Sequence, residues 1–176
     1  MWNHNTHYHR YLLRQLPRRV DRALDVGCGL GLFAWKLAER AKAVDALDID
    51  SVILAEASNR YSAPNIAYRQ ADFLAAELPE ATYGVIVAIA SLHHMDLEAA
   101  LRKMRRLLCS SGKLLILGLY RETTPVDYAY SAISVPLNLV YLKWHRASNT
   151  VPEIAPTRPA QLSLKQIQAV ANNCML

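Results

Sequence analysis

Residues 24–38 read Leu24-Asp25-Val26-Gly27-Cys28-Gly29-Leu30-Gly31-Leu32-Phe33-Ala34-Trp35-Lys36-Leu37-Ala38. A short apolar run meets an acid, glycines follow at alternate positions, and apolar residues then recur at helical spacing. The pattern predicts a strand, a tight turn and the start of a helix. Gly27, Gly29 and Gly31 carry no side chains, so a ligand can lie against bare backbone. The helix that follows points its first N–H groups, and the positive end of its dipole, at the same place. Such a junction suits a ligand with a negative group at one end.

Working outward, residues 23–26 are the first predicted strand and residues 30–40 the first helix of the core. Residues 43–49 alternate and end in acids, which predicts a second strand. A helix over 51–61 follows, with Ser51 or Asp50 as its N-cap. Residues 66–69 make a short third strand, and residues 74–82 a loop or broken helix around Pro79. The continuous apolar run at 85–90 suits a strand buried on both faces. Residues 91–95 form a loop. Asp96 then caps a helix through Leu108, with Leu97, Leu101, Met104, Leu107 and Leu108 on one face. Ser110-Ser111-Gly112 is the expected stop, and residues 113–119 the fifth strand. Strands alternating with helices predict a doubly wound, mostly parallel sheet in a three-layer α/β/α arrangement.

The flanks read differently. Tyr8, Tyr11, Leu12 and Leu16 recur at helical spacing until Pro17 stops them, so residues 1–19 carry a short amphipathic helix, a lid over the site mouth or a plain surface helix. His4, His7 and His9 fall on different faces with no cysteine or carboxylate beside them, and no metal site is expected. Beyond Tyr120 comes a Thr123-Thr124-Pro125 linker. An apolar, aromatic-rich segment at 126–145 follows, then an extended stretch holding Pro152, Pro156 and Pro159, and a helix over 162–170.

The chain has 176 residues, enough for one domain with a real core. Its net charge of +5 permits contact with nucleic acid or anionic lipid. No nucleic-acid motif accompanies the Arg10–Arg22 and Arg102–Arg106 clusters, so solvated helix faces are expected and no nucleic-acid partner. Cys28, Cys109 and Cys174 have no framework spacing, which fits a reduced, cytoplasmic protein. No apolar leader is present, and the longest apolar stretch, 128–142, is too short to span a membrane. Oligomeric state is not legible.

Two cofactor classes use a glycine-rich turn after the first strand of such a sheet. The dinucleotide fingerprint is G-x-G-x-x-G, with an acid roughly 20 residues on. Here the third glycine comes one position early, and Asp25 precedes the first by two. That form suits a nucleoside with an amino-acid tail, and it disfavours a dinucleotide-dependent oxidoreductase.

Five segments together resemble the class I S-adenosylmethionine-dependent methyltransferases, in their small-molecule branch. They are Leu24 to Gly31, Leu47-Asp48-Ile49-Asp50, Gln70-Ala71-Asp72-Phe73, Ser91-Leu92-His93-His94-Met95 and Leu107 to Ile116. The resemblance covers roughly residues 20 to 120 and implies a Rossmann-like fold that binds S-adenosylmethionine. It implies in-line methyl transfer to a small, apolar or aromatic acceptor. Asp25 belongs to the glycine motif, with Gly31 as its third glycine. Gly27, Cys28 and Gly29 would line the methionine portion by backbone, Cys28 being a small filler more than a reactive thiol. Asp48 would accept both ribose hydroxyls, leaving Asp50 as a helix cap, and Ile49 would pack on one adenine face. Asp72 would accept from the adenine amino group, with Phe73 beside the ring. His93 and His94 end the fourth strand, where an imidazole could take the acceptor's proton.

The expected organisation is a single domain over 1–176. It comprises the lid helix (1–19), the cofactor-binding core (20–120), a substrate cover and linker (121–160) and a C-terminal helix (161–176). About five strands are expected, the family's usual sixth and seventh being missing after residue 170. The fifth strand would then be an open edge or lie under residues 126–144. Cys109-Ser110-Ser111-Gly112 stands where the family has proline-glycine-glycine, and Tyr83-Gly84 where it has Phe-Asp. The alternative function is a degenerate or truncated methyltransferase fold acting as a non-catalytic binding module.

Overall fold

The computed structural model describes residues 4–118 and 164–175. In chain order the elements are α1 (His4–Gln15), β1 (Val20–Val26), α2 (Leu32–Ala38), β2 (Ala41–Asp48), α3 (Ser51–Arg60), β3 (Ile66–Gln70), β4 (Tyr83–Ile89), a 3₁₀ turn (Leu92–His94), α4 (Leu97–Leu107), β5 (Leu108–Leu117) and α5 (Leu164–Met175). The described strands form one sheet in the order β3-β2-β1-β4-β5. Every pairing is parallel. The expected doubly wound α/β architecture is therefore present, with the order reversing between β1 and β4.

Side-chain alternation sorts the core into two layers. Ala23, Val44, Ala46, Val85 and Val87 face one side, where Phe33, Ala34 and Leu37 of α2, Leu12 of α1 and Leu16 just after it cover them. Leu24, Val26, Leu47, Ile86 and Ala88 face the other, against Ala100, Met104 and Leu107 of α4 and Phe73 of the β3–β4 connection. β4 is central and buried on both faces, as its unbroken apolar run predicts: Val85, Ile86, Val87 and Ala88 are wholly inaccessible. Removing this apolar area from water is the main stabilising term.

Several boundaries differ from the sequence expectation, each for a tertiary reason. β1 begins three residues early, at Val20, because its ladder with β2 already starts at the Val20–Ala41 pair. Arg22 can join a strand because its Nε donates to Asp45 at 2.8 Å. The buried Asp45 carboxylate also accepts the Tyr83 hydroxyl at 2.8 Å and has Arg69 at 3.8 Å from its other oxygen, so this interior acid is well partnered. β5 begins at Leu108, directly after α4, and not after the expected stop at Ser110–Gly112. Its register with β4 jumps from Tyr83–Leu108 to Val85–Lys113, so residues 109–112 form a bulge. Gly112 is needed there, since a Cβ would lie 2.9 Å from the Tyr83 carbonyl and 2.7 Å from Leu108.

Residues 91–95, expected as a loop, include the 3₁₀ turn. Between β3 and β4, residues 71–82 form turns and no helix. The helix caps follow the sequence: Asp50 accepts from the amides of Val52 and Ile53, and Asp96 from that of Ala99. The N-terminal histidines resolve into packing at His9. Its ring meets Phe33 edge-on at 4.8 Å and its Nδ1 lies 3.2 Å from the Lys36 ammonium. Burial first, and Lys36 second, lower its pKa to about 4, so it is a neutral acceptor that pins α1 to α2. The linkers at 123–125 and 149–159 and the aromatic-rich segment at 126–145 lie outside the described residues.

Candidate active site at the carboxyl edge of the sheet

In open parallel sheets, ligands bind at the carboxyl ends of strands where the strand order reverses. The glycine turn after β1 occupies that place. Gly27, Gly29 and Gly31 have φ of +69°, +51° and +78°, conformations that residues with a Cβ seldom adopt. The turn is bound to the end of β2: the amides of Gly27 and Cys28 donate to the Leu47 carbonyl at 2.8 and 2.9 Å. The Gly29 amide donates to Asp48 Oδ2 at 2.9 Å. These N–H groups, in backbone expected to line the ligand, donate to the end of β2.

The bareness of the turn also serves the protein's own packing. A Cβ on Gly27 would lie 2.4 Å from the Ser91 Cβ, and one on Gly31 would lie 2.4 Å from the Tyr68 hydroxyl. Ser91, after β4, fastens the two segments by donating from Oγ to the Val26 carbonyl at 2.6 Å. Tyr68, on β3, donates its hydroxyl to the Tyr61 carbonyl at 2.9 Å. Ser91 opens a segment the sequence singles out, but its contact with Gly27 is not legible there, and Tyr68 is not distinguishable at all, because each reaches the turn from a remote part of the chain.

Asp48 stands at the carboxyl end of β2. Besides Gly29, it accepts the Asp50 amide on Oδ1 at 3.1 Å. Each carboxylate oxygen keeps acceptor capacity for one further donor. Ile49 and Val52, next to it, are 69% and 76% exposed, an open apolar surface beside an acid. Asp50, the competitor for Asp48's role, is occupied as the cap of α3.

Asp25 lies behind the turn, with only 2% of its surface exposed, and its Oδ2 has no partner among the described residues. Burial, and secondarily the Asp48 charge, raise its pKa to about 7, against the Ala34 amide, which favours the carboxylate. Burial, with Asp25 and Asp48 nearby, also pushes the Cys28 thiol up, so it stays protonated and unreactive at neutral pH.

Asp72 follows β3 and is exposed at the same edge of the sheet. Its Oδ1 accepts the Leu74 amide at 2.8 Å, which shapes the local turn and leaves the second oxygen open. Phe73 is turned into the core layer against α4 at 3% exposure, so its ring offers no open face to a ligand.

Ala90 follows β4 in a left-handed conformation, φ +51°, unusual for a residue with a Cβ. It redirects the chain into the turn that carries His93 and His94, whose rings lie 3.9 Å apart. His93 has both ring nitrogens buried and unpartnered among the described residues. Burial first, and His94 second, lower its pKa from 6.5. His94 is exposed. The structure thus separates two histidines that the sequence leaves equivalent. Among the described residues, no three His, Cys, Asp or Glu side chains gather as a metal-binding group, and no helix is long and apolar enough to cross a membrane.

A family model described as a methyltransferase domain matches residues 24–116, the span holding the glycine turn, Asp48, Asp72 and both histidines. The chain belongs to the class I S-adenosylmethionine-dependent methyltransferase family. Within this family, an uncharacterized methyltransferase of Mycobacterium tuberculosis is 40% identical over 116 residues, 65% of this chain and 59% of that protein. A ubiquinone biosynthesis O-methyltransferase of Pseudomonas fluorescens is 31% identical over 117 residues, 64% of this chain and 49% of that protein. The N-methyltransferase NodS of Bradyrhizobium japonicum, solved with S-adenosylhomocysteine, is 25% identical with a TM-score of 0.57, covering 63% of this chain and 60% of that one. This methyltransferase-family chain therefore spans about half to three-fifths of these relatives' lengths.

Proposed function

We propose that this chain binds S-adenosylmethionine and transfers its methyl group to a small acceptor of apolar or aromatic character. The observation that carries this reading is Asp48, fixed by two backbone amides at the end of β2 with the exposed Ile49 beside it. A carboxylate with one acceptor position left on each oxygen matches a ribose diol, and the apolar neighbour matches a flat base. The open oxygen of Asp72 lies at the end of the adjacent strand and suits the base's amino group. The residues present therefore fit a nucleoside cofactor.

S-adenosylmethionine supplies the electrophile, a methyl group on a sulfonium, so the protein's main task is to position and desolvate. Gly27, Cys28 and Gly29 shape the wall for the amino-acid end, with the buried Asp25 behind them. Ser91 packs on Gly27, which brings the His93 turn beside that wall. His93 is the proton acceptor in this reading: it is neutral at pH 7, and its buried nitrogens carry no competing partner among the described residues. Such a base serves an oxygen or nitrogen acceptor, in line with the O- and N-methyltransferase names among the relatives. The apolar acceptor rests on the aromatic-rich composition of residues 126–144.

Calorimetric titration with S-adenosylmethionine tests the cofactor assignment. Asp48→Ala is expected to raise Kd about 100-fold, because hydrogen bonds to a charged group contribute about 1.5–3 kcal/mol each. Asp48→Asn, which keeps one acceptor oxygen, should fall between. Equal affinity in Asp48→Ala and the parent chain would remove Asp48 from the site.

The base assignment has its own check. In an NMR titration the His93 Cε1–H should show a midpoint below 6.5. A midpoint above that value would mean a protonated, hydrogen-bonded ring and no resting base. Cofactor binding without turnover on a panel of small phenols and amines would favour the non-catalytic alternative.

A further inference from the structure

We infer that Lys103 is a positioning residue for the cofactor's base: reaching across from α4, it fixes the turn that presents Asp72. The inference rests on the cofactor reading above and extends it to a residue that contacts no ligand itself.

The geometry is a short chain of contacts. Asp72 is held by two amides of its own turn: Leu74 N–H donates to its carboxylate and Ala76 N–H to its carbonyl, both at 2.8 Å. The carbonyls of those same two residues, Leu74 and Ala76, accept from the Lys103 ammonium, the first at 3.0 Å. The ammonium also lies 5.4 Å from the centroid of the buried Phe73 ring, a cation–π contact with the residue following Asp72. One side chain thus grips positions 73, 74 and 76 around the acid.

Two features set this apart from an ordinary surface lysine. Residues 71–82 contain no helix, so the turn lacks a regular hydrogen-bond ladder to hold it. Lys103 supplies the missing donors from a rigid base, since Ala100, Met104 and Leu107 of α4 are buried in the core. Ordering a lysine costs rotamer entropy, which two charge-assisted hydrogen bonds offset. The consequence is that Asp72 meets an adenine amino group at a preset position, and discrimination between bases depends on how well that position is held.

The test compares S-adenosylhomocysteine with S-inosylhomocysteine, in which an oxo group replaces the adenine amino group. The parent chain should prefer the adenine compound. Lys103→Met, which keeps the apolar stem, should weaken S-adenosylhomocysteine binding about tenfold by calorimetry, leave the inosine compound within about twofold, and so collapse the preference. Lys103→Arg should restore most of it. Amide exchange at Leu74 and Ala76 should accelerate about tenfold in ligand-free Lys103→Met. A merely structural role would lower thermal stability without moving the base preference. Should Lys103→Met fail to fold, Lys103→Gln serves in the same comparison. A parent chain that binds neither compound overturns the cofactor reading and this assignment with it. A parent chain that discriminates, alongside a folded variant with undiminished preference, overturns the Lys103 assignment alone.

Discussion

Gly27→Ala is expected to destabilise the fold by about 2–5 kcal/mol and to remove cofactor binding with it. Two costs combine. The φ of +69° is left-handed, which costs a residue with a Cβ about 1–2 kcal/mol. The new methyl would also sit 2.4 Å from the Ser91 Cβ, and inserting a methyl into a packed site costs about 1–3 kcal/mol. The clash at Gly27 is the harder of the two in the turn. A Cβ is fixed by its own backbone, so no rotamer change at Ser91 relieves it. At Gly31 the obstructing group is the Tyr68 ring, which can swing. Urea denaturation should show the large loss for Gly27→Ala. Gly27→Ala/Ser91→Gly, measured against Ser91→Gly, should recover the steric part and keep the conformational part. A loss below about 0.5 kcal/mol in the single variant would show that the turn is not held as described.

The second large effect concerns pH. Asp25 has a folded-state pKa of about 7, against 3.8 for the ordinary side chain, because it is buried and near Asp48. A raised acid pKa means that the native chain holds its proton more tightly than the unfolded chain. This contribution is therefore fully present below about pH 4, declines as pH rises toward 7, and is gone above it. At about 1.36 kcal/mol per unit, the decline amounts to about 4 kcal/mol. Asp25→Asn does not titrate. Its stability relative to the parent chain should grow by about that amount between pH 4 and pH 8, read from urea midpoints at each pH. A stability difference that stays constant across the range would mean that Asp25 is ionised and satisfied in the native state.

Most of the fold was legible because its determinants are local. The apolar run at 85–90 reads as a buried strand, and β4 is inaccessible from Val85 to Ala88. Asp50 and Asp96 lie just before apolar-periodic stretches, and both cap the helices expected of them. Boundaries were less legible where a partner strand decides them. Val20 joins β1 through Ala41, and Leu108 joins β5 through Tyr83, although neither neighbourhood reads as strand.

The sequence alone determined the glycine turn, the acids at the ends of β2 and β3, and the order of strands and helices. Those features are encoded by spacing along the chain, and they suffice to name the family. Only the tertiary structure decided how the turn is held and which candidates are buried or open at the edge of the sheet. It buried Phe73, set Asp25 behind the turn, and left the His93 nitrogens without a partner among the described residues while exposing its neighbour. It brought Ser91, after β4, and Tyr68 of β3 against the glycine turn, and Lys103 of α4 onto the turn that follows Asp72. The physical reason is that burial and hydrogen-bond partnership depend on what crosses from distant strands, and a parallel sheet, whose neighbours are joined by long crossovers, separates such partners widely in sequence.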